Sequence, residues 1–223
     1  MESYVEKHYE RKYYPFYHEE KTEDSINPLE NNSFSELQNV IHFQKIIQSH
    51  TDKFWESSIF SEINELKNNN IGNVGEIFIK NICERVNIPC FIDGKNTKRK
   101  NIGDGYILGK SIEIKTARIG NKGTYQHELG ENPYNSEYLL FLDINPKDFC
   151  IIIMKNFTKE FYENSNRKIE PYFNKKICRR KEIGNYKLTL SKKDLRKDCN
   201  YILKITKDTK DFEIKDFLER NIF

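Results

Sequence analysis

Asp104, Glu113 and Lys115 lie within a dozen residues of one another in a stretch, Gly103 to Thr116, that reads as a β-hairpin. Its limbs are Asp104–Leu108 and Ser111–Thr116, and Gly109-Lys110 suits the two-residue turn between them. Pairing around that turn sets Leu108 opposite Ser111, Tyr106 opposite Glu113 and Asp104 opposite Lys115. Residues two apart share a face of a strand, so Asp104, Glu113 and Lys115 point one way, and Ile107, Ile112 and Ile114 point the other, toward a core. Two neighbouring carboxylates repel, and a divalent cation relieves the repulsion. Hard oxygen donors suit Mg²⁺, which often takes one or two carboxylates together with phosphate oxygens. A metal held this way can activate water and offset the charge that builds up in phosphodiester cleavage, with a lysine beside it to hold the water or the phosphate.

An Asp at the start of one strand, followed by Glu-x-Lys on the next, resembles the motif of the PD-(D/E)XK nuclease superfamily. Asp104 and Glu113-Ile114-Lys115 match it position by position. Gly103 departs from it, standing where the motif has Pro, a position that is loose in the family. The tripeptide alone carries little weight, because Glu/Asp-x-Lys recurs by chance in so charged a chain, for example at Glu65-Leu66-Lys67 and Glu213-Ile214-Lys215. The flanking isoleucines, the strand alternation and the Asp across the hairpin set Glu113 apart. The plainer alternative is a surface ladder of ion pairs, which is common and weak.

The resemblance implies a restriction-endonuclease-like fold: a mixed α/β (α+β) domain with a central mixed sheet flanked by helices and a helical N-terminal region. It implies Asp104, Glu113 and Ile114 as the metal ligands, Lys115 as the residue that positions the attacking water, and Mg²⁺ as cofactor with Mn²⁺ as a substitute. In many such enzymes a helix before the hairpin lends a Glu, and Glu76 resembles that residue. Asn73 and Glu76 fit a helix-capping pair equally well. Within the superfamily the chain looks like a stand-alone type II restriction endonuclease. Such an enzyme cuts double-stranded DNA at a short sequence, works as a homodimer and is accompanied by a DNA methyltransferase of the same system.

The elements around the hairpin follow from pattern. Residues 1–32 form an acidic arm. In the helical region 33–70, Ser33-Phe34-Ser35-Glu36 reads as a capping box opening one helix, and Trp55, Ile59, Ile63 and Leu66 stripe a second. Asn68–Gly72 reads as the turn ending it, and Asn73 as the cap of a third helix with Val74, Ile77, Phe78 and Ile82 buried. The resemblance to the nuclease superfamily covers about residues 72–155 and implies that the catalytic core lies there. Pro89–Ile92 is a short strand, Tyr138–Ile144 a fully buried one, and Phe149–Met154 its antiparallel neighbour. Tyr125-Gln126-His127-Glu128 reads as a polar loop, and Asp143 as structural. The remainder, 156–223, is a basic elaboration with strands at Tyr186–Leu190 and Tyr201–Ile205 and a last helix at Phe212–Leu218, all within one domain.

Charge is uneven although the net charge is only +3. Between residues 95 and 122 eight Lys and Arg face only Asp104 and Glu113. Such an excess suits a phosphate backbone, as it also suits a solvated loop. Lys98, Arg99, Lys100, Arg118 and Lys122, then Gln126 and His127, and Arg179, Arg180 and Lys181 of a second basic segment are the candidate DNA contacts. Arg pairs bidentately with guanine in the major groove. Five scattered cysteines without Cys-x-x-Cys argue against a zinc site or a disulfide framework. A reducing cytoplasm of a prokaryotic or viral system fits, with no membrane span and no signal-peptide pattern. Three rivals stay open: a repair, junction-resolving or RNA-cleaving nuclease of the same fold; a non-catalytic DNA-binding protein; and a protein whose charged segments bind other proteins.

Overall fold

The computed structural model describes residues 32–43, 54–93, 102–164, 168–169, 172–179, 184–194 and 200–223. Helix α1 (Ser33–Phe43) and a 3-10 turn (Ser61–Glu65) precede α2 (Asn68–Arg85). Strands β1 (Cys90–Ile92), β2 (Gly105–Ile107), β3 (Lys110–Arg118), β4 (Thr124–Gly130), β5 (Tyr138–Ile144) and β6 (Phe149–Lys155) follow. Then come α3 (Lys159–Glu163), β7 (Cys178–Arg179), β8 (Tyr186–Ser191), β9 (Ile202–Ile205) and α4 (Asp211–Asn221).

All seven residues of β5 are buried. A strand this apolar on both sides has to be covered on both faces, and it occupies the middle of the main sheet. That sheet has six strands in the order β1-β2-β3-β5-β6-β9. β3 and β5 run parallel and every other neighbouring pair antiparallel, so the sheet is mixed, as expected. The chain between β3 and β5 contributes β4 to a second sheet, β4-β8-β7. The loop expected at Tyr125–Glu128 is therefore a strand. Tyr125, His127 and Leu129 face inward and Gln126 and Glu128 outward, a period of two in which one of the buried positions is a histidine.

α2 begins five residues before its expected start. Asn68, Asn69 and Asn70 form its first turn rather than closing a preceding helix. Ile71, Val74, Phe78 and Ile82 are all buried, and the burial of this stripe outweighs the poor helix propensity of Asn and of Gly72. The residues around Trp55 make turns and the 3-10 segment instead of a second α-helix. Trp55, Phe60, Ile63 and Leu66 are nonetheless buried. At α1 the cap lies one residue earlier than the sequence pattern suggests. The Asn32 side chain accepts from the backbone N–H of Phe34 and Ser35, both at 3.0 Å. Ser33 Oγ instead donates to Asp211 at 2.5 Å, and Arg85 pairs with Asp211 at 2.9 Å, which ties α1, α2 and α4 together. Of the N-terminal arm only Asn32 falls among the described residues.

Candidate active site

The hairpin exists, but its turn is Leu108-Gly109, one residue earlier than expected. Both residues take positive φ, 51° and 77°, as a type I′ turn requires. Leu108 accepts this conformation because it packs against the core and its N–H donates to Pro89 O at 2.9 Å. Gly105 then pairs with Ile112 and Tyr106 with Ser111. The expected pairing is displaced by two residues, which leaves every side chain on its expected face. Continued by one position, the register sets Asp104 opposite Glu113 instead of Lys115. The two carboxylates thus become the direct neighbours.

Asp104 is buried at 1 % exposure. Its Oδ2 accepts a 2.8 Å hydrogen bond from the backbone N–H of Ile114, between Glu113 and Lys115. Lys115 Nζ pairs with Glu113 Oε1, and both side chains are only about one-fifth exposed. The route into this corner is set by Gly103. Its φ is +91° and a Cβ would stand 2.5 Å from Ile112 O. Proline, locked near −65°, cannot adopt that φ, so the departure from the family pattern has a steric reason in this chain.

α2 reaches β3 through Gly75, where a Cβ would run into the Thr116 side chain. Close approach of helix and strand here brings Glu76 to a cleft that Lys115 also lines. Since Glu76 is the ninth residue of α2, it cannot be one half of an N-terminal capping pair with Asn73. Glu76 and Lys115 line one cleft of ≈ 620 Å³, together with Asn68, Asn73, Thr116, Arg118, Thr124, Gln126, His127, Glu128 and Lys187. Asp104 and Glu113, on the same hairpin as Lys115, are not among the residues that line it.

The second sheet closes the other side of this cleft. His127 packs on Phe141, with ring centroids 4.7 Å apart, and its Nε2 lies 2.8 Å from Asp143 Oδ1. Both side chains are essentially buried, at 0 % and 3 % exposure. Phe141 and Asp143 pair with Lys115 and Ala117 in the parallel ladder, so β4 covers the face of the main sheet that carries Lys115. Sequence reasoning placed His127 among the DNA contacts and read Asp143 as structural; the structure buries the two against each other between the sheets. Burial and the Asp143 charge push the Tyr125 hydroxyl well above its ordinary range, and the same two causes push the Cys150 thiol up to about 12. The Asp143 carboxylate therefore acts on a poorly solvated neighbourhood.

The remaining candidate contacts divide. Arg118 Nη1 donates to Ile63 O at 2.6 Å, so at least part of its guanidinium holds the 3-10 turn. Lys122 lies exposed in the turn before β4. Gln126, exposed, accepts at Oε1 from Lys187 Nζ at 2.7 Å. Lys187 belongs to the second basic segment that the sequence offered for DNA contact, and the β4–β8 pairing brings it to the cleft. Lys98, Arg99, Lys100, Arg180 and Lys181 lie outside the described residues, as does the side chain of Arg179.

A divalent cation fits the donor set here. Asp104 and Glu113 supply two hard oxygen ligands from adjacent positions, and Mg²⁺ commonly takes one or two carboxylates and fills its remaining positions with water. Among the described residues there is no group of three or more His, Cys, Asp or Glu that could hold a metal unaided. No helix among the described residues is long and apolar enough to cross a membrane. No protein-family model matches the chain, and no curated protein matches it.

Proposed function

We propose that the protein is a metal-dependent endonuclease of the PD-(D/E)XK type that cuts double-stranded DNA at a short sequence, as type II restriction enzymes do. The observation that carries this reading is the 2.8 Å bond from Ile114 N–H to Asp104 Oδ2, which fastens the Asp of the motif to the backbone of its Glu-x-Lys tripeptide.

Asp104 and Glu113 would hold Mg²⁺ or Mn²⁺, with Ile114 supplying the third position that the family resemblance implies. The ion would supply Lewis acidity and a water of lowered pKa. Lys115 has two tasks. In the resting protein its ammonium offsets the Glu113 carboxylate. With substrate present, its donors orient the attacking water and balance charge on the phosphate. Glu76 approaches the same cleft from α2 and orients that water from the helix side. Asp104, tied to the main chain, is preorganised and needs no rearrangement to act as a ligand. A duplex has two strands to cut, which is the reason for expecting a homodimer, and a nuclease of this kind is expected to act beside a companion DNA methyltransferase.

The test is digestion of a long duplex DNA with Mg²⁺, against an EDTA control. Discrete fragments that vanish with EDTA support the reading; a smear points to a nuclease without sequence preference. Lys115→Ala is expected to reduce cleavage by at least about 100-fold, on the scale of a lost positioned donor, while Ca²⁺-supported DNA binding is kept. Asp104→Asn is expected to lose both cleavage and metal binding. Normal cutting by either variant would remove the site assignment.

A further inference from the structure

We infer that Gln126 and Lys187 form a base-reading pair that selects guanine in the DNA substrate; this rests on the nuclease reading of the adjoining cleft. Both line the cleft that holds Lys115 and Glu76. They come from neighbouring strands of the second sheet, β4 and β8, and lie on its outward face. Lys187 Nζ stands 2.7 Å from Gln126 Oε1.

The chemistry of that contact fixes what the pair can offer. An ammonium has donors and no acceptor, so the amide must turn its oxygen toward Lys187. This settles the orientation of a side chain whose two ends are otherwise hard to tell apart. The Gln126 NH₂ group is then the end left to face a ligand, and Lys187 keeps two further N–H donors. Together they present donors only.

Two parts of DNA present acceptors only. One is the phosphate; the other is the major-groove edge of guanine, with N7 and O6 side by side. Glu128 decides between them. It stands directly across the β4–β8 ladder from Lys187 and lines the same cleft. A carboxylate at that point repels a formally charged phosphate more strongly than a neutral base edge. The support is also rigid, since the residue between Gln126 and Glu128 is His127, buried and paired to Asp143 on the main sheet. A reader mounted on a strand that is anchored on its reverse side holds its register better than one on a free loop.

The experiment digests a pool of duplexes carrying a randomised 12-base-pair core with Mg²⁺ and sequences the ends. It compares the wild type with Gln126→Ala and with Lys187→Met, each first checked for the wild-type thermal midpoint. The expected result is a guanine in the wild-type site whose preference falls by about 5- to 150-fold in both variants, the range for one lost bidentate base contact, with the other positions unchanged. Variants that cut all sequences more slowly by the same factor, with a reduced salt slope of Ca²⁺-supported binding, would show a phosphate contact and overturn the inference. Variants with the unaltered wild-type preference would overturn it too. A wild type that cuts without any sequence preference would overturn base reading and leave the nuclease standing. Failure to cut or bind any DNA in the pool would remove both.

Discussion

At the scale of single residues, the pair His127–Asp143 and the carboxylate of Glu137 make claims that can be measured. Asp143 sits among β5 residues that exclude water, and the buried His127 imidazole faces it at 2.8 Å from the other sheet. Removing the imidazole leaves a buried polar group without its neighbour. His127→Phe is therefore expected to cost ~1–3 kcal/mol of stability. Adding Asp143→Leu should recover part of that loss, since the stranded carboxylate leaves with its partner. Urea unfolding of both singles and the double checks this; a double variant whose loss equals the sum of the singles would show the two side chains to be uncoupled. Glu137 accepts from the backbone N–H of Ser111 at 2.9 Å, and this bond first, then Lys110, hold its carboxyl below the ordinary range. A group whose pKa is depressed by folding stabilises above its unfolded pKa, and the contribution disappears as pH falls through the folded pKa. Glu137→Gln should thus lower the urea midpoint at neutral pH and leave it unchanged once the pH has fallen below the folded pKa of the wild-type carboxyl. Glu137 is half-exposed, so screening by solvent keeps the gap at neutral pH below about 1 kcal/mol. A gap that persists in acid would mean that Glu137 acts by something other than its charge.

The elements meet most closely where α2 crosses β3. Gly75 permits the approach because any Cβ would overlap Thr116 Oγ1. Gly75→Ala is expected to destabilise by ~1–3 kcal/mol through overpacking, despite alanine's better helix propensity. Thr116→Ala added to it should restore part of the loss by vacating the space, and thermal unfolding of the two variants tests the contact. The same crossing explains a misreading of the sequence. A run of three asparagines and a glycine has the composition of a turn, yet α2 runs through it because Ile71 and Val74 are buried on either side. Local composition and tertiary burial disagreed there, and burial decided. The hairpin turn shows the same conflict on a smaller scale. Gly109 marks a turn in the sequence, but only the packing of Leu108 and its bond to Pro89 choose which two residues make it.

For the whole molecule, what the sequence revealed is what depends on short range. The continuous apolar run of β5, its antiparallel return as β6 and the alternation that puts Glu113 and Lys115 on one face are all local patterns. The mixed α+β architecture followed from them. The second sheet did not. β4 was hidden because its inward positions include a histidine, and nothing near residue 127 in the sequence announces the carboxylate at 143 that makes its burial tolerable. Lys187 was legible as one charge of a basic segment, but its contact with Gln126, 61 residues away in the sequence, was not.

That separation also has a meaning in time. The ribosome delivers the chain from the N-terminus at roughly 5–20 residues per second. The stretch from β3 to β6 is finished before β8 exists, and β4 has no partner in its own sheet until residues 186–191 arrive. An interval of roughly 3–12 s therefore separates the two at that rate of synthesis. For that interval a nascent chain holds Asp104, Glu113 and Lys115 but lacks the wall that carries Lys187. On the proposed function, the residues for cutting are synthesised before the Gln126–Lys187 pair is complete, so discrimination is acquired after the means to cut.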